Sequence, residues 1–284
     1  MSDKFRVSEA TTLLPFLNTH LKGWTRSKIK QRMKAGCVIL NSQPVTQHDH
    51  ELKAGDDIEV RAWAKNMQRG GTPSLEILYS DSDIIAINKP AGLLSVATTD
   101  ENKRHALAIL RNQLSRAKRP VKLWPVHRLD RDTSGVLLFA TSRDMREAVN
   151  ADWSNAEKIY LAVVEGCPNP SQGTIDQPLR MDPDKYHMHV GPHPEAKNSI
   201  THFETQRTVN DRSLLEVQLE TGRQHQIRAH MAWLGHPVIG DPRYGTDGPR
   251  MGLHAARLSI TRPKTGERLT FETPAPNDFN DLLR

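Results

Sequence analysis

A continuous apolar run, VLLFA at residues 136–140, follows a polar nonapeptide, HRLDRDTSG at residues 127–135. An uninterrupted apolar run is typical of a buried strand, and a polar segment with a closing glycine is typical of the loop that leads into it. Charged side chains beside a buried strand lose hydration and need partners. Asp130, which lies between Arg128 and Arg131, is therefore a candidate for an ionised functional carboxylate. A surface turn with solvated charges is the alternative interpretation.

The nonapeptide resembles the signature of the RluA-type pseudouridine synthases, HRLD followed by two variable residues and TSG, and it matches every fixed position. Three further segments resemble the same family and occur in the family's order: NKPAGL at residues 88–93, KIY at 158–160 and TGRQHQIRAH at 221–230. The resemblance implies an isomerase that converts uridine in RNA to pseudouridine and needs no cofactor, metal or energy source. It also implies an α+β fold, whose catalytic domain has a mixed, mainly antiparallel β-sheet with flanking helices.

The resemblance also implies roles for individual residues. Asp130 is implied to be the essential aspartate that acts as nucleophile or general base, and Arg228 its ion-pair partner. Tyr160 is implied to lie against the target uracil, although ordinary strand packing is an alternative for this residue. Arg128 is implied to fill the gap that a flipped uridine leaves in the RNA stack. Further predicted RNA contacts in this domain are His127, for which orientation of the loop is the alternative, Lys89, Arg223 and His225.

Apolar periodicity predicts the other elements of this domain. Strands are predicted at residues 75–79, 84–88, 159–164, 199–209, 214–219, 258–260 and 269–271. Helices are predicted at residues 105–114, 142–153 and 226–234. Thr133 and Ser134 are predicted to form the turn before the apolar run, through hydrogen bonds to the local backbone, rather than to act as nucleophiles.

Residues 1–62 are predicted to form a small α/β domain of their own. Apolar residues recur at helical spacing over residues 11–21, and a second helix is predicted to run to Met33, with Thr25 or Ser27 as its N-cap. The helices, short strands and turns resemble the alpha-L RNA-binding module, first recognised in a small-subunit ribosomal protein. The basic residues of the second helix that are predicted to contact RNA are Arg26, Lys28, Lys30 and Arg32. A solvated basic face is the alternative interpretation.

Residues 63–73 lack apolar periodicity and end in GGTP, so they are predicted to link the small domain to a catalytic domain at residues 74–284. Within the catalytic domain, residues 181–201 depart from the family's usual pattern. They carry HMHV and PEAKNS where the family has a Lys-Met step and a Gly-Lys-x-Ala/Ser turn. This segment is predicted to border the RNA, and its departure leaves the choice between ribosomal and transfer RNA open.

The charge balance favours a polyanionic partner, because 39 lysines and arginines outnumber 33 acidic residues and give a formal charge of +6. Ribosomal RNA is the predicted partner, and transfer RNA is the alternative. Two cysteines cannot form a disulfide framework or a cysteine-based metal cluster, and no run of about 18 apolar residues occurs. The chain is therefore predicted to be a cytoplasmic monomer that does not enter a membrane.

Two other classes of function remain as alternatives. His225, His230 and His236 suggest a metal-dependent nuclease or hydrolase, but the first two are five residues apart, which is not the i, i+4 spacing of a helical zinc site. A non-catalytic RNA-binding protein would need only the small domain and the positive charge. The presence of Asp130, Tyr160 and Arg228 together at motif positions argues for an enzyme instead.

Overall fold

The computed structural model describes residues 3–21, 23–34, 37–41, 43–45, 47–60, 74–97, 104–115 and 120–284. The chain forms two compact units, Met1–Gly71 and Thr72–Arg284, which are called the smaller and the larger unit. The segment between residues 61 and 73, which includes the predicted linker, lies outside the described residues.

The smaller unit packs two helices and short strands around one apolar core. Its elements are β1 (Asp3–Arg6), β2 (Thr11–Thr12), α1 (Leu13–His20), α2 (Arg26–Lys34), β3 (Val38–Leu40), β4 (Gln43–Pro44), β5 (Glu51–Leu52) and β6 (Asp57–Val60). Four strands form a sheet in the order β1-β6-β3-β4, and β2 pairs with β5. The Thr25 hydroxyl accepts the Lys28 N–H at 3.3 Å, so Thr25 rather than Ser27 caps α2.

The larger unit is a mixed α+β structure with β predominant. Its first half contains β7 (Glu76–Ser80), β8 (Ile84–Lys89), α3 (Ala106–Leu114), β9 (Trp124–Pro125), β10 (Ser134–Ala140), α4 (Arg143–Ala151) and β11 (Glu157–Glu165). Its second half contains β12 (Gln172–Asp176), β13 (Leu179–Asp182), β14 (His187–Val190), β15 (Ile200–Val209), β16 (Arg212–Leu219), α5 (Gln226–Trp233), β17 (Leu253–Thr261) and β18 (Arg268–Glu272). None of the described helices is both long and apolar enough to cross a bilayer.

One large sheet organises this unit, with the strand order β12-β15-β16-β11-β17-β10-β8-β7. Strand β18 adds to β17 and β9 adds to β10, while β13 and β14 form a separate hairpin. Neighbouring strands are antiparallel except β10 and β17, which run parallel. The mixed, mainly antiparallel sheet predicted for the catalytic domain is confirmed. Strands β12, β13 and β14 are not among the predicted elements, because short polar strands show little apolar alternation.

Strand β10 is buried along its whole length, as its apolar run predicts. It begins at Ser134, so the predicted loop ends two residues earlier than residue 135. The Ser134 hydroxyl pairs with His254 Nδ1 at 2.9 Å, which corrects the prediction of a local turn former. Gly135 has φ +115°, and a Cβ at this position would overlap the Ala255 carbonyl. The signature glycine is thus required by the parallel pairing of β10 with β17.

Candidate active site

Strand register brings two of the motifs together. Gly135 on β10 pairs with Ala255 on β17, and Ala255 pairs on its other side with Tyr160 on β11. The signature loop enters the sheet at this row, so Tyr160 and Asp130 border the same cavity of about 360 Å³. Sequence separation hides this proximity, because it depends on the order of strands in the sheet.

The backbone on both sides of Asp130 is anchored. The Ser95 hydroxyl donates to the Leu129 carbonyl at 2.7 Å and accepts the Leu129 N–H at 3.0 Å. On the other side, the Lys89 ammonium donates to the Arg131 carbonyl at 2.9 Å. The two bridges restrict the loop and therefore the position of the Asp130 carboxylate.

The burial of Lys89 contradicts its predicted role as an RNA contact. Its side chain is 0% exposed, and its ammonium also donates to the carbonyls of Pro90 and Leu93. Burial lowers the pKa of Lys89 to about 7, against the opposing charges of Asp132 and Asp130. The lysine therefore supports the signature loop from inside the protein, where a phosphate cannot reach it.

Arg228 connects two carboxylates. Its Nη1 donates to Asp130 Oδ2 at 2.8 Å, which places the predicted pair in contact. Its Nε and Nη2 donate to the two oxygens of Asp241 at 2.6 and 2.8 Å. Burial opposes the charged form of Arg228, but the hydrogen bonds and charges of Asp241 and Asp130 raise its pKa. The guanidinium is therefore permanently charged and has a defined orientation toward Asp130.

Asp241 is not among the residues predicted from the sequence. Its side chain is fully buried, and burial, which alone would raise its pKa, is outweighed by the bonds from Arg228, so the pKa is lowered. The backbone N–H groups of Arg243 and Tyr244 also donate to it. The available signal was the segment GDPRYG at residues 240–245, where Gly240 has φ +70° and no space for a Cβ.

His225 lies beside the carboxylate rather than on an open surface. It adopts a left-handed conformation directly before α5, and its Nε2 lies 3.8 Å from Asp130 Oδ2. Its Nδ1 pairs with the Tyr244 hydroxyl at 3.0 Å. Burial lowers the pKa of His225 to about 4, against the charge of Asp130, so the ring is neutral at pH 7. Any contact of this residue with RNA would therefore be made inside the cavity.

The hairpin of β13 and β14 packs against α5, the helix that carries Arg228. Leu179 and Met188 bury their side chains against Ala229, and the Met188 N–H donates to the Tyr244 hydroxyl at 2.8 Å. The atypical segment at residues 181–201 thus supports the helix of the site. The prediction that this segment borders the RNA stays a prediction.

Tyr160 lines the cavity between Asp130 and the apolar core. Burial, reinforced by the charge of Asp130, raises the pKa of its hydroxyl, so the group stays protonated at neutral pH. Arg128 and Arg223 are exposed residues at the cavity, and the Arg223 Nε donates to the Asn198 carbonyl at 3.2 Å. Both arginines are positioned to meet a polyanion that enters the cavity.

The His127 ring is directed into the structure. Its Nε2 accepts the Leu138 N–H at 3.1 Å, and the ring stacks on Trp153 with centroids 5.1 Å apart. Burial lowers the pKa of His127 to about 4, with Lys158 nearby also disfavouring the charged ring. This geometry supports the alternative in which His127 orients the loop. A phosphate contact would need an outward-facing ring with an N–H group free to donate.

In the smaller unit, α2 buries Ile29 and Met33 and presents its basic residues on the other side. Arg26, Lys28 and Lys30 are exposed, and Arg32 is half-buried. The Lys28 ammonium lies 4.1 Å from the centroid of Trp24, and the Arg32 guanidinium carbon lies 5.1 Å from it. Two of the four predicted RNA contacts therefore pack on a tryptophan face.

The three histidines behind the metal-hydrolase alternative lie in different environments. His225 pairs with Tyr244, His230 with Thr201, and His236 with the Glu165 carbonyl. Within the described part of the chain, no group of three or more His, Cys, Asp or Glu side chains is arranged to hold a metal ion.

The family follows from a match that spans the cavity motifs. A family model for RNA pseudouridylate synthase matches residues 83–233, which include Asp130, Tyr160 and Arg228. The chain belongs to the RNA pseudouridylate synthase family. This synthase is 34% identical to the uncharacterized RNA pseudouridine synthase YlyB of Bacillus subtilis, over 94% of this chain and 91% of the relative.

Named relatives and a solved structure agree with that assignment. The synthase is 32% identical to the ribosomal large subunit pseudouridine synthase D of Neisseria meningitidis, over 93% of this chain and 75% of the relative. The structure of human RNA Pseudouridylate Synthase Domain Containing 1 matches with a TM-score of 0.62 at 25% identity, over 76% of this chain and 90% of that chain. The predicted RluA-type family is confirmed, and the synthase is an isomerase that acts on RNA.

Proposed function

We propose that this synthase converts uridines in structured RNA to pseudouridine, with Asp130 as the essential carboxylate. The observation that carries the proposal is the ion pair between Asp130 and an arginine whose Nε and Nη2 are already bound by Asp241. Because Arg228 shares its charge between two carboxylates, its ion pair holds the Asp130 carboxylate in place without cancelling the whole of its charge. A charged, positioned carboxylate is what attack on a glycosidic centre or proton abstraction requires.

The reaction needs bond exchange and one proton transfer. The bond between uracil N1 and ribose C1′ breaks, the base turns, and a bond forms between C5 and C1′. The C5 proton leaves and N1 ends protonated, so atoms balance without a co-reactant. Asp130 acts as nucleophile at C1′ or as general base, and the protonated hydroxyl of Tyr160 relays the proton beside the base.

The target uridine must leave its stack to reach a cavity of about 360 Å³. Unstacking costs a few kcal/mol, which contacts elsewhere must offset. Arg128 is exposed at the cavity and has a planar guanidinium that stacks on bases, so we assign it to the gap left by the uridine.

For the RNA target, we propose large-subunit ribosomal RNA in the cytoplasm, acted on by a monomer. The support is the name of the Neisseria meningitidis relative, a ribosomal large subunit pseudouridine synthase, together with the excess of basic residues. Transfer RNA is the alternative. Pseudouridine mapping of total RNA, with and without the gene, decides between them by the positions that lose the modification.

We also propose that the smaller unit is an alpha-L type RNA-binding module. Exposed Arg26, Lys28 and Lys30 on α2 support phosphate contacts, which raise affinity without choosing the base that reacts. A protein that only binds RNA through this unit is the second candidate function, and it predicts no change at any uridine.

Asp130→Asn tests the assignment of the carboxylate. The amide keeps the shape of the side chain but cannot act as nucleophile or base, so isomerisation should fall below detection while RNA affinity stays within about threefold. Pseudouridine formation by purified protein on ribosomal RNA lacking the modification is the measurement, with Asp144→Asn on α4 as control. Activity of Asp130→Asn within threefold of wild type would show that Asp130 is not the catalytic carboxylate.

A further inference from the structure

Lys158 is a buried cation of the KIY motif that has no assigned role. Its side chain is 5% exposed, and the residue lines the same cavity as Asp130. Its ammonium donates to the carbonyls of Trp153 at 3.2 Å and Ala156 at 2.7 Å. Among the described residues, these two carbonyls are its acceptors, and it forms no ion pair with a carboxylate.

Glu220 is the acidic residue whose charge favours the protonated form of Lys158, and it lies beyond ion-pair distance. Glu220 opposes the effect of burial, which lowers the pKa of Lys158, but the Glu220 carboxylate pairs with His202 at 2.7 Å. Arg257, another cation at the cavity, already lies beside Glu157 and Glu272 at 3.7 and 3.5 Å. Within the described part of the chain, Lys158 thus differs from Arg257 in having no carboxylate at ion-pair distance.

Comparison with Lys89 shows that the hydrogen bonding of the Lys158 ammonium is incomplete. An ammonium has three N–H donors, and those of Lys89 meet three carbonyls in a closed site. Among the described residues, Lys158 has two carbonyl acceptors; its ammonium also lies 5.7 Å from the centroid of the Trp153 ring and borders an open cavity. Because a buried charge without a counter-ion is unfavourable, the remaining donor is best satisfied by an anion that enters the cavity.

The geometry points to a phosphate subsite at Lys158, which we propose binds a backbone phosphate next to the target uridine. This inference rests on the proposed function. Lys158 and Tyr160 are two residues apart on β11 and therefore share a face, with Cα atoms about 7 Å apart. Since Tyr160 borders the place of the base, Lys158 lies within one nucleotide of it. Asn150 and Trp153 also line this cavity.

Small ligands separate phosphate recognition from other RNA contacts. Uridine and uridine 3′,5′-bisphosphate are compared as inhibitors of RNA binding by the full-length protein. The wild type should prefer the bisphosphate, and Lys158→Met should reduce that preference by about tenfold, the size of one charge-assisted hydrogen bond. Lys158→Arg, which keeps the charge, should retain part of the preference.

Lys264→Met is the matched control, because Lys264 is an exposed lysine of the same unit that pairs with Asp83 at 2.8 Å. It should leave the preference unchanged. An equal preference in Lys158→Met and wild type would overturn the subsite and show that Lys158 only caps the carbonyls of Trp153 and Ala156. If Lys158→Met does not fold, equal inhibition of the wild type by the two ligands overturns the proposal, and a preference that falls with salt supports it.

Failure of this inference is distinct from failure of the proposed function. Loss of isomerisation in Asp130→Asn, together with an unchanged ligand preference in Lys158→Met, would leave the function intact and remove only the subsite. Full activity in Asp130→Asn would instead remove the proposed role of Asp130, whatever the ligands show.

Discussion

At the scale of single residues, the arrangement of the site depends on Asp241 as much as on Asp130. Asp241 accepts the Nε and Nη2 N–H groups along one edge of the Arg228 guanidinium, so Nη1 is the nitrogen that faces Asp130. A bidentate pair fixes an arginine in direction as well as distance. Tyr244 adds to this constraint, since the guanidinium carbon of Arg228 lies 5.2 Å from its ring centroid.

Asp241→Asn should therefore impair catalysis through Arg228. The amide cannot accept both N–H groups, and we expect kcat to fall about 10- to 100-fold while KM changes little. Purified enzyme on ribosomal RNA, assayed over a range of RNA concentrations that separates kcat from KM, provides the measurement.

Asp81→Asn is the control for Asp241→Asn, because it disturbs another partly buried ion pair of the same unit, with Arg262 at 2.8 Å. It should lower stability without lowering kcat. If Asp241→Asn left kcat as in wild type, Asp241 would be a structural residue with no influence on Asp130.

At the scale of elements, the signature loop is joined to β10 through His127. Its Nε2 accepts the Leu138 N–H, so the ring must be neutral, with the proton on Nδ1. Burial lowers the pKa of His127 to about 4, whereas an unfolded histidine titrates near 6.5. The loop that carries Asp130 is therefore sensitive to acid through a residue that does not touch the substrate in this arrangement.

The pH dependence of stability should show this coupling. Between about pH 6.5 and 4 the unfolded chain binds a proton at His127 that the folded chain excludes, so the free energy of unfolding falls as the pH is lowered through this window. The loss from His127 is at most about 3 kcal/mol. Urea unfolding at several pH values should give a shallower fall for His127→Gln, whose amide oxygen can replace Nε2 as acceptor. Parallel curves for the two proteins would contradict the prediction.

At the scale of the whole molecule, each unit has a hydrophobic core of its own. The core of the smaller unit is built around residues such as Leu13, Leu17 and Ile58, and the larger unit is built around its sheet. A chain without the smaller unit should therefore still fold. The proposed catalytic residues Asp130, Tyr160 and Arg228 all belong to the larger unit.

Removal of residues 1–62 should weaken RNA binding and flatten its salt dependence. Each phosphate contact that is lost removes about 0.7 to 0.9 from the slope of log affinity against log salt. Turnover at saturating RNA should fall much less than affinity. Binding titrations at several salt concentrations, with Arg26, Lys28 and Lys30 changed to Gln in the full chain as comparison, would test this. An unchanged slope in both proteins would mean that the basic face is merely solvated.

The amino-acid sequence by itself determined the family and the main strands, and it predicted Asp130 as the central carboxylate. Local sequence patterns indicate these properties. The patterns are the apolar run that becomes β10, the glycine that its pairing needs, and the motifs around Asp130, Tyr160 and Arg228. A buried strand and a backbone position that requires glycine each leave a pattern within a few consecutive residues. Such patterns can be recognised without knowing the rest of the fold. The contact between Asp130 and Arg228 was predicted only through the family resemblance, because 98 residues separate them.

Only the tertiary structure decided how those residues are supported. Asp241 pairs with Arg228 because the chain after α5 folds back over the helix. Lys89 is buried, and its ammonium donates to three carbonyls instead of facing solvent. That Lys158 has no carboxylate partner among the described residues is likewise not apparent from a list of basic residues. Hydrogen bonding and desolvation depend on which groups surround a side chain in space, and that information arises only when distant segments are brought together.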